Sequence, residues 1–368
     1  MTATVTVVGG GYGGITAAQA LDNIADVVLI DPKDSFVHNV ASLRAVVDPA
    51  WADRMFFPYD GLLKRGRVIR DWAVAVESTK VWLSSGEQIA TDYVVLATGT
   101  TYPFPAKSRN YRAASAVTQL HETHEALAKA DSVLLLGAGP VGLELAGEIK
   151  AAWPHKTVTI LDPARDILSG SFIAGFPAET ANRLRVELRR QLHGLGVTVL
   201  TRDSLRQSLT TMDGRLGAFT APTWQGRTIT ADIWFRCYGR RPATRSLSGD
   251  LSYAPREDML IQVTPHLRIP PQRNVFAIGD ITATAAPDTA VVAIEQGELV
   301  AENIRNLING VPELKSFTPS QPYFLVPLGP TGGAAYSPDA GILDAATTSQ
   351  YKGADLLISK YEEIFGQT

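Results

Sequence analysis

Cysteine is nearly absent from this chain: Cys237 stands alone among 368 residues. An internal disulfide framework is therefore excluded, and so is the cysteine pair through which a thiol-disulfide relay passes electrons. In the strand expected over residues 233–238, Cys237 reads as a small buried side chain. An excess of one charge is lacking too, since 34 basic against 37 acidic residues leave a net charge of −3. No long-range field attracts a polyanion, and no nucleic-acid partner is expected. The apolar runs stop at Gly, Pro or charged residues well short of the roughly 18–20 residues that span a bilayer. No integral membrane segment is expected. The chain runs from Met1 into an apolar strand at residues 5–8 without a basic flank or a small-residue cleavage site, which makes a cytoplasmic location the expectation. His121 and His124 share a helix face but have no cysteine or third ligand nearby, so no metal site is expected. Low-complexity and heptad segments are missing as well.

What is present is a repeat. Residues 5–31 (VTVVGGGYGGITAAQALDNIADVVLID) are echoed by residues 133–162 (VLLLGAGPVGLELAGEIKAAWPHKTVTILD). Each reads as strand, glycine turn, helix, strand. Short apolar runs ahead of the glycines suit buried parallel strands, and the Ala- and Leu-rich stretches after them suit helices on a sheet. The expected fold class is α/β, with two Rossmann-like, doubly wound units. Further strands are expected at 67–76, 81–83, 93–97, 233–238 and 274–278, and helices at 178–193 and 290–307. From 317 onward the composition shifts to Gly, Pro and aromatics, which marks a small C-terminal α+β module. The expected domains are 1–114 with 246–316, an inserted 115–245, and 317–368.

Gly9, Gly11 and Gly14 occupy the three fingerprint positions of the first repeat. They serve a tight turn, a close backbone approach to a pyrophosphate, and close helix–strand contact. Tyr12 and Gly13 complete that loop, and the helix behind it points its positive end at the phosphates. Asp31 ends the second strand, roughly 20 residues past Gly9, where its carboxylate can accept bonds from ribose hydroxyls. The second repeat places Gly137, Gly139 and Gly142 in the same way, with Pro140 and Val141 between them and Asp162 at the end of its second strand. An acid there repels a 2′-phosphate, so NADH is expected over NADPH, with Arg165 three residues on as the opposing influence.

Ala97-Thr98-Gly99 and Gly279-Asp280 close later strands. With the N-terminal fingerprint they form an ordered set that resembles the two-dinucleotide-domain flavoproteins, the glutathione-reductase-like superfamily, over nearly the whole chain. That resemblance implies FAD at the first fingerprint and NADH at the second. Asp280 would then bond the ribityl and pyrophosphate region. The helix starting at Thr289 and Ala290 would aim its N-terminus at the flavin's pyrimidine edge, and Val74 and Gly239 would be further cofactor-lining positions. Hydride would pass from NADH to the flavin with reacting atoms about 3–3.5 Å apart.

Three stretches, DPKDSFVHNVASLRA (31–45), LELAGEIK (143–150) and SKYEEIF (359–365), are similar to the apoptosis-inducing-factor-like subfamily that includes the ferroptosis suppressor proteins. Its members are NAD(P)H:quinone oxidoreductases. Carried over by position, Lys33, His38 and Asn39 lie along FAD. Glu144 stands near the flavin and nicotinamide, and Lys360 and Phe365 at the quinone end. Thr2 stands where N-myristoylation requires Gly, so a lipid anchor is not implied. Peripheral membrane contact and oligomeric state stay open. Two other readings share these features. One is a reductase of a small electron carrier such as a ferredoxin or rubredoxin, docking on Arg236, Arg240 and Arg241. The other is a redox-sensing interaction protein that responds to NADH.

Overall fold

A computed structural model describes residues 2–170, 173, 176–255, 258–320 and 323–366. Met1, from which the start was read, lies outside the described residues. The chain divides into two compact units. One consists of Met1–Val37, Pro58–Thr101 and Arg240–Ser320, and the other of His38–Phe57, Tyr102–Gly239 and Gln321–Thr368.

The first unit is built on a five-stranded parallel sheet in the order Val275–Ala277, Tyr93–Leu96, Thr4–Val8, Asp26–Ile30, Arg67–Ile69. All but the edge strand Arg67–Ile69 are largely buried and apolar, as expected where both faces of a parallel sheet are covered. The helix Tyr12–Leu21 follows the first strand and packs against the helix Ala290–Ile308. The crossing is close: a Cβ on Gly13 would sit 2.6 Å from the Ala293 carbonyl oxygen, and one on Gly297 would sit 2.6 Å from that of Gly13. A three-stranded antiparallel sheet, Ala73–Val76, Lys80–Leu83 and Gln88–Ala90, contributes Val76, Val81, Leu83 and Ile89 to a core shared with Val28, Ile30, Val94 and Leu96. The single strand expected over 67–76 is thus two. Asp71 breaks it by accepting bonds from Trp72 N at 2.6 Å, from Ser85 N at 3.1 Å and from the Ser84 hydroxyl, which turns the chain out of the parallel sheet.

The second unit holds a four-stranded parallel sheet in the order Val197–Thr201, Thr157–Asp162, Ser132–Leu136, Ile233–Arg236. Helices Ala113–Lys129, Pro140–Ala152 and Ala178–Gly194 accompany it. A three-stranded antiparallel sheet, Phe324–Leu328, Gly332–Ser337 and Gly341–Leu343, belongs to the same unit. It packs on Pro140–Ala152 where Gly147 leaves room: a Cβ at Gly147 would come 2.4 Å from Leu328 Cα. The Gln191 side chain ties it to Ala178–Gly194, giving Nε2–H to the Gly333 carbonyl and accepting the Gly333 N–H, both at 2.7 Å. The chain then forms a wide π-helical turn, Ser349–Gly353, and the helix Ile358–Ile364. Both units are α/β with parallel sheets, as the repeat implies. Among the described residues, no helix is long and apolar enough to cross a membrane.

Candidate functional site

The first glycine loop leaves its strand at Gly9, whose φ of +109° favours glycine and whose absent Cβ would lie 2.4 Å from the Ala97 carbonyl oxygen. A Cβ on Gly14 would come within 1.8 Å of the Gly9 carbonyl oxygen, so helix and strand touch backbone to backbone. Gly11 opens the helix Tyr12–Leu21, and a Cβ there would meet nothing within 4 Å. That opening, at the N-terminus of a helix, is the kind of place a phosphate takes. Asp31 is buried, and its two oxygens accept Gly10 N–H at 2.6 Å and Lys33 N–H at 2.8 Å. The Lys33 ammonium stands 3.4 Å away. Tyr12 lies edge-on to Phe36, with ring centroids 5.2 Å apart.

Thr98 and the residues around it join a second group of chain ends in the same unit. The Thr98 hydroxyl donates to the Ala243 carbonyl at 2.6 Å, and the Thr100 hydroxyl to the Asp280 carboxylate at 2.8 Å. Gly99 and Gly279 both have positive φ. Thr289 caps Ala290–Ile308 by accepting Val292 N–H at 3.3 Å. Val74 lies on the antiparallel sheet with its side chain exposed. A pocket of about 350 Å³ lies beyond Asp31, lined by Lys33, Tyr59, Leu63, Gly66 and Arg70 among others.

In the second unit Gly137 has φ +115°, and a Cβ on Gly142 would sit 2.0 Å from the Gly137 carbonyl oxygen. Gly139 is as open as Gly11. Asp162 accepts Ala138 N–H at 2.6 Å and Ala164 N–H at 2.7 Å. Cys237 lies beneath this loop, fully buried, and burial raises its thiol pKa well above the usual range. Gly239 has φ +106° near Pro103. Arg165 is exposed.

Glu144 is not a solvated helix residue. Its carboxylate, 13% exposed, pairs with the Lys352 ammonium at 2.9 Å. Burial pushes its pKa up, and Lys352 pulls it part of the way back. One turn on, Glu148 is buried and held by Nε and Nη2 of the Arg44 guanidinium, at 3.0 and 2.8 Å. Arg44 also donates to the carbonyls of Gly353 at 2.6 Å and Ala354 at 3.0 Å, which fixes the end of the turn that carries Lys352. His38 is buried and shares a 2.8 Å hydrogen bond with the Leu356 carbonyl, beside the Tyr361 ring. Burial lowers its pKa to about 4. Asn39 begins the short helix that follows. Phe365 stacks on Phe57 with centroids 5.2 Å apart, and Lys360 is exposed on Ile358–Ile364.

Sequence reading missed Lys352, Arg44 and Glu148. For Arg44 and Glu148 the available signal was a charge inside the apolar runs VASLRAVV and LELAGEI, while Lys352 had none. It missed Tyr59 and Gln296 as well, which carry no motif. Of the basic trio, Arg240 is ion-paired with Asp288, while Arg236 and Arg241 are exposed.

Two fingerprint loops, each with its aspartate, and a late Gly-Asp turn define a class: a flavoprotein oxidoreductase that works with a nicotinamide nucleotide. The chain belongs to the pyridine nucleotide-disulphide oxidoreductase family, which it matches over residues 3–297. Its relatives include apoptosis-inducing factor homolog A of Dictyostelium discoideum, 27% identical over 98% of this chain and 91% of the relative. Ferroptosis suppressor protein 1 of Xenopus tropicalis is 28% identical over 99% of this chain and 96% of the relative. Among solved structures, the sulfide:quinone oxidoreductase of Aquifex aeolicus superposes with a TM-score of 0.73 at 17% identity, covering 99% of this chain and 91% of that one.

Proposed function

We propose that this protein is an FAD-dependent NADH:quinone oxidoreductase, with FAD on the first fingerprint and NADH on the second. The observation that carries the reading is the duplicated loop. In both, an open helix N-terminus stands beside an aspartate that already holds the loop by one N–H. Both loops fit a dinucleotide, since the space a Cβ would take at Gly11 or Gly139 is free for a pyrophosphate. On this reading residues 1–114 and 246–316 hold FAD, 115–245 hold NADH, and 317–368 form the acceptor end. When bound, FAD supplies the acceptor for a hydride and the donor of electrons to the quinone.

The chain's own residues then bind and orient. Asp31 and Asp162 take ribose hydroxyls, and Asp162 disfavours a 2′-phosphate, which is the basis for NADH over NADPH. Ala97, Thr98, Gly99, Gly279, Asp280, Thr289 and Ala290 hold the flavin end, with Lys33, His38, Asn39, Tyr12 and Val74 along the cofactor and Gly239 beside the nicotinamide nucleotide. Glu144, fixed by Lys352, accepts a hydrogen bond from the nicotinamide carboxamide and so sets the hydride geometry. Lys360 and Phe365 meet the quinone, a role supported by the subfamily resemblance of the tail. The quinone reading also draws on the sulfide:quinone oxidoreductase whose fold this chain shares. A cytoplasmic setting goes with a single, buried cysteine.

One experiment tests the whole reading. The flavin released from the denatured protein should be FAD. Anaerobic stopped-flow reduction should favour NADH over NADPH by about tenfold or more, or ~1.4 kcal/mol. The reduced protein should then be reoxidised faster by short-chain quinones than by oxygen or ferredoxin. Release of FMN alone removes the first assignment, equal use of both nucleotides removes the second, and reoxidation by ferredoxin alone moves the protein to the electron-carrier reductases.

A further inference from the structure

The turn at Gly279 and Asp280 rests against the helix Ala290–Ile308, and Gln296, in the second turn of that helix, has no solvent exposure. Its Oε1 accepts the Gly279 N–H at 2.6 Å. That bond decides which end of the amide is oxygen, because the reverse orientation would set two donors against each other. The two N–H donors of Nε2 are therefore left in a dry place, and among the described residues Nε2 has no hydrogen-bond partner. A buried donor without an acceptor is destabilising, a cost that an apolar side chain of the same length would avoid at that end. Gln296 also lines a narrow slot, too tight for a free water as it stands, with Gly279, Asp280, Thr284, Asp288 and Thr289.

The walls of that slot specify a ligand. The first turn of Ala290–Ile308 offers the positive end of a 19-residue helix. Asp280 lines it with a carboxylate that accepts the Thr100 hydroxyl at 2.8 Å, and Gln296 offers two N–H groups that need an acceptor oxygen. A chain of hydroxyls ending in carbonyl or anionic oxygens meets all three demands. We infer that Gln296 is a flavin-reading residue, whose carboxamide donates to an oxygen of the bound flavin nucleotide while its carbonyl holds the Gly279–Asp280 turn. The inference rests on the assignment of FAD to the first unit and adds a contact that the glycine fingerprint does not contain.

The test uses the full chain stripped of flavin, and reads the FAD dissociation constant by quenching of flavin fluorescence. Gln296→Glu keeps an acceptor for Gly279 but loses the donor and adds a negative charge. At pH 8 its affinity for FAD should fall at least tenfold, and part of it should return at pH 5.5, where a protonated carboxyl donates again. The parent protein at both pH values corrects for Asp280 and Asp288. Gln296→Met, uncharged and of similar length, should lose roughly three- to tenfold at both pH values. Melting of each apoprotein, followed by circular dichroism, establishes that it is folded. Parental affinity in either folded variant at pH 8 overturns the role of Gln296. If the parent itself takes up no FAD, the assignment of the first unit fails and this inference goes with it.

Discussion

The two glycine loops begin alike. The N–H that follows the first glycine goes to the distant aspartate, Gly10 to Asp31 and Ala138 to Asp162, each at 2.6 Å. They differ in what satisfies the carbonyl of that same residue. The Gly10 carbonyl accepts the buried Tyr59 hydroxyl at 2.9 Å, whereas the Ala138 carbonyl accepts the backbone N–H of Leu168 at 2.9 Å. They differ again one residue past the helix start. Gly13 is closed in by the helix Ala290–Ile308, while the matching position of the second loop carries Val141, partly exposed. In the second unit the close approach comes later along the helix, at Gly147. The turn is therefore a local property of the fingerprint, and the remaining glycine is placed by whatever packs on the helix.

The largest effect should come from exchanging the two positions. Gly13→Val forces a branched side chain against the Ala293 backbone 2.6 Å away and should destabilise the first unit by about 3 kcal/mol or more. Val141→Gly should cost only about 0.5–1 kcal/mol, the helix penalty of glycine. Urea unfolding of both variants measures the contrast, and equal losses would break it.

Acid should act through the second unit. His38 has a folded-state pKa of about 4 against an ordinary 6.5, because burial disfavours its charged form. The unfolded chain therefore binds more protons between those values, and stability falls as pH drops from 6.5 towards 4. At pH 4.5 the loss from this one group should be about 2–3 kcal/mol. His38→Gln should remove that part of the pH dependence from urea midpoints. An unchanged pH slope would mean that His38 is solvated where it sits.

The smallest effect separates a side-chain donor from a backbone donor. Tyr59→Phe deletes the bond to the Gly10 carbonyl and should cost about 1 kcal/mol, with weaker retention of FAD. No single side-chain deletion can do the same to the second loop, since its donor is the Leu168 backbone. Flavin release on dilution checks the first half. Retention equal to the parent protein would show that the carbonyl does not need the hydroxyl.

The parts of the fold that were legible are those whose cause is local. Short apolar runs ending in glycine, and an aspartate at the end of the next strand, identify both units before any packing is known. The parts that were not legible depend on residues far apart in sequence. Arg44 meets Glu148 because the segment around residues 42–45 packs on the second fingerprint helix, and Glu144 meets Lys352 because the tail returns to that same helix. Nothing in the periodicity of either segment reports such a meeting. The break in the strand expected over 67–76 has a similar origin, since Asp71 turns the chain by bonding to Ser84 and Ser85 on the next strand's far side. His38 was read only as a residue along FAD, and its bond to the Leu356 carbonyl had no sequence signature.

Gly147 has a practical consequence for anyone who trims the protein. Its bare backbone is covered by Leu328 and Gly329, and the Arg44 guanidinium loses two of its acceptors if Gly353 and Ala354 are removed. A chain cut before the C-terminal sheet would bare the flank of the helix that begins the second fingerprint and leave a buried cation half satisfied. Loss of activity after such a cut would therefore report a damaged scaffold, and the part proposed for the tail at the acceptor end is better judged from point changes at its surface.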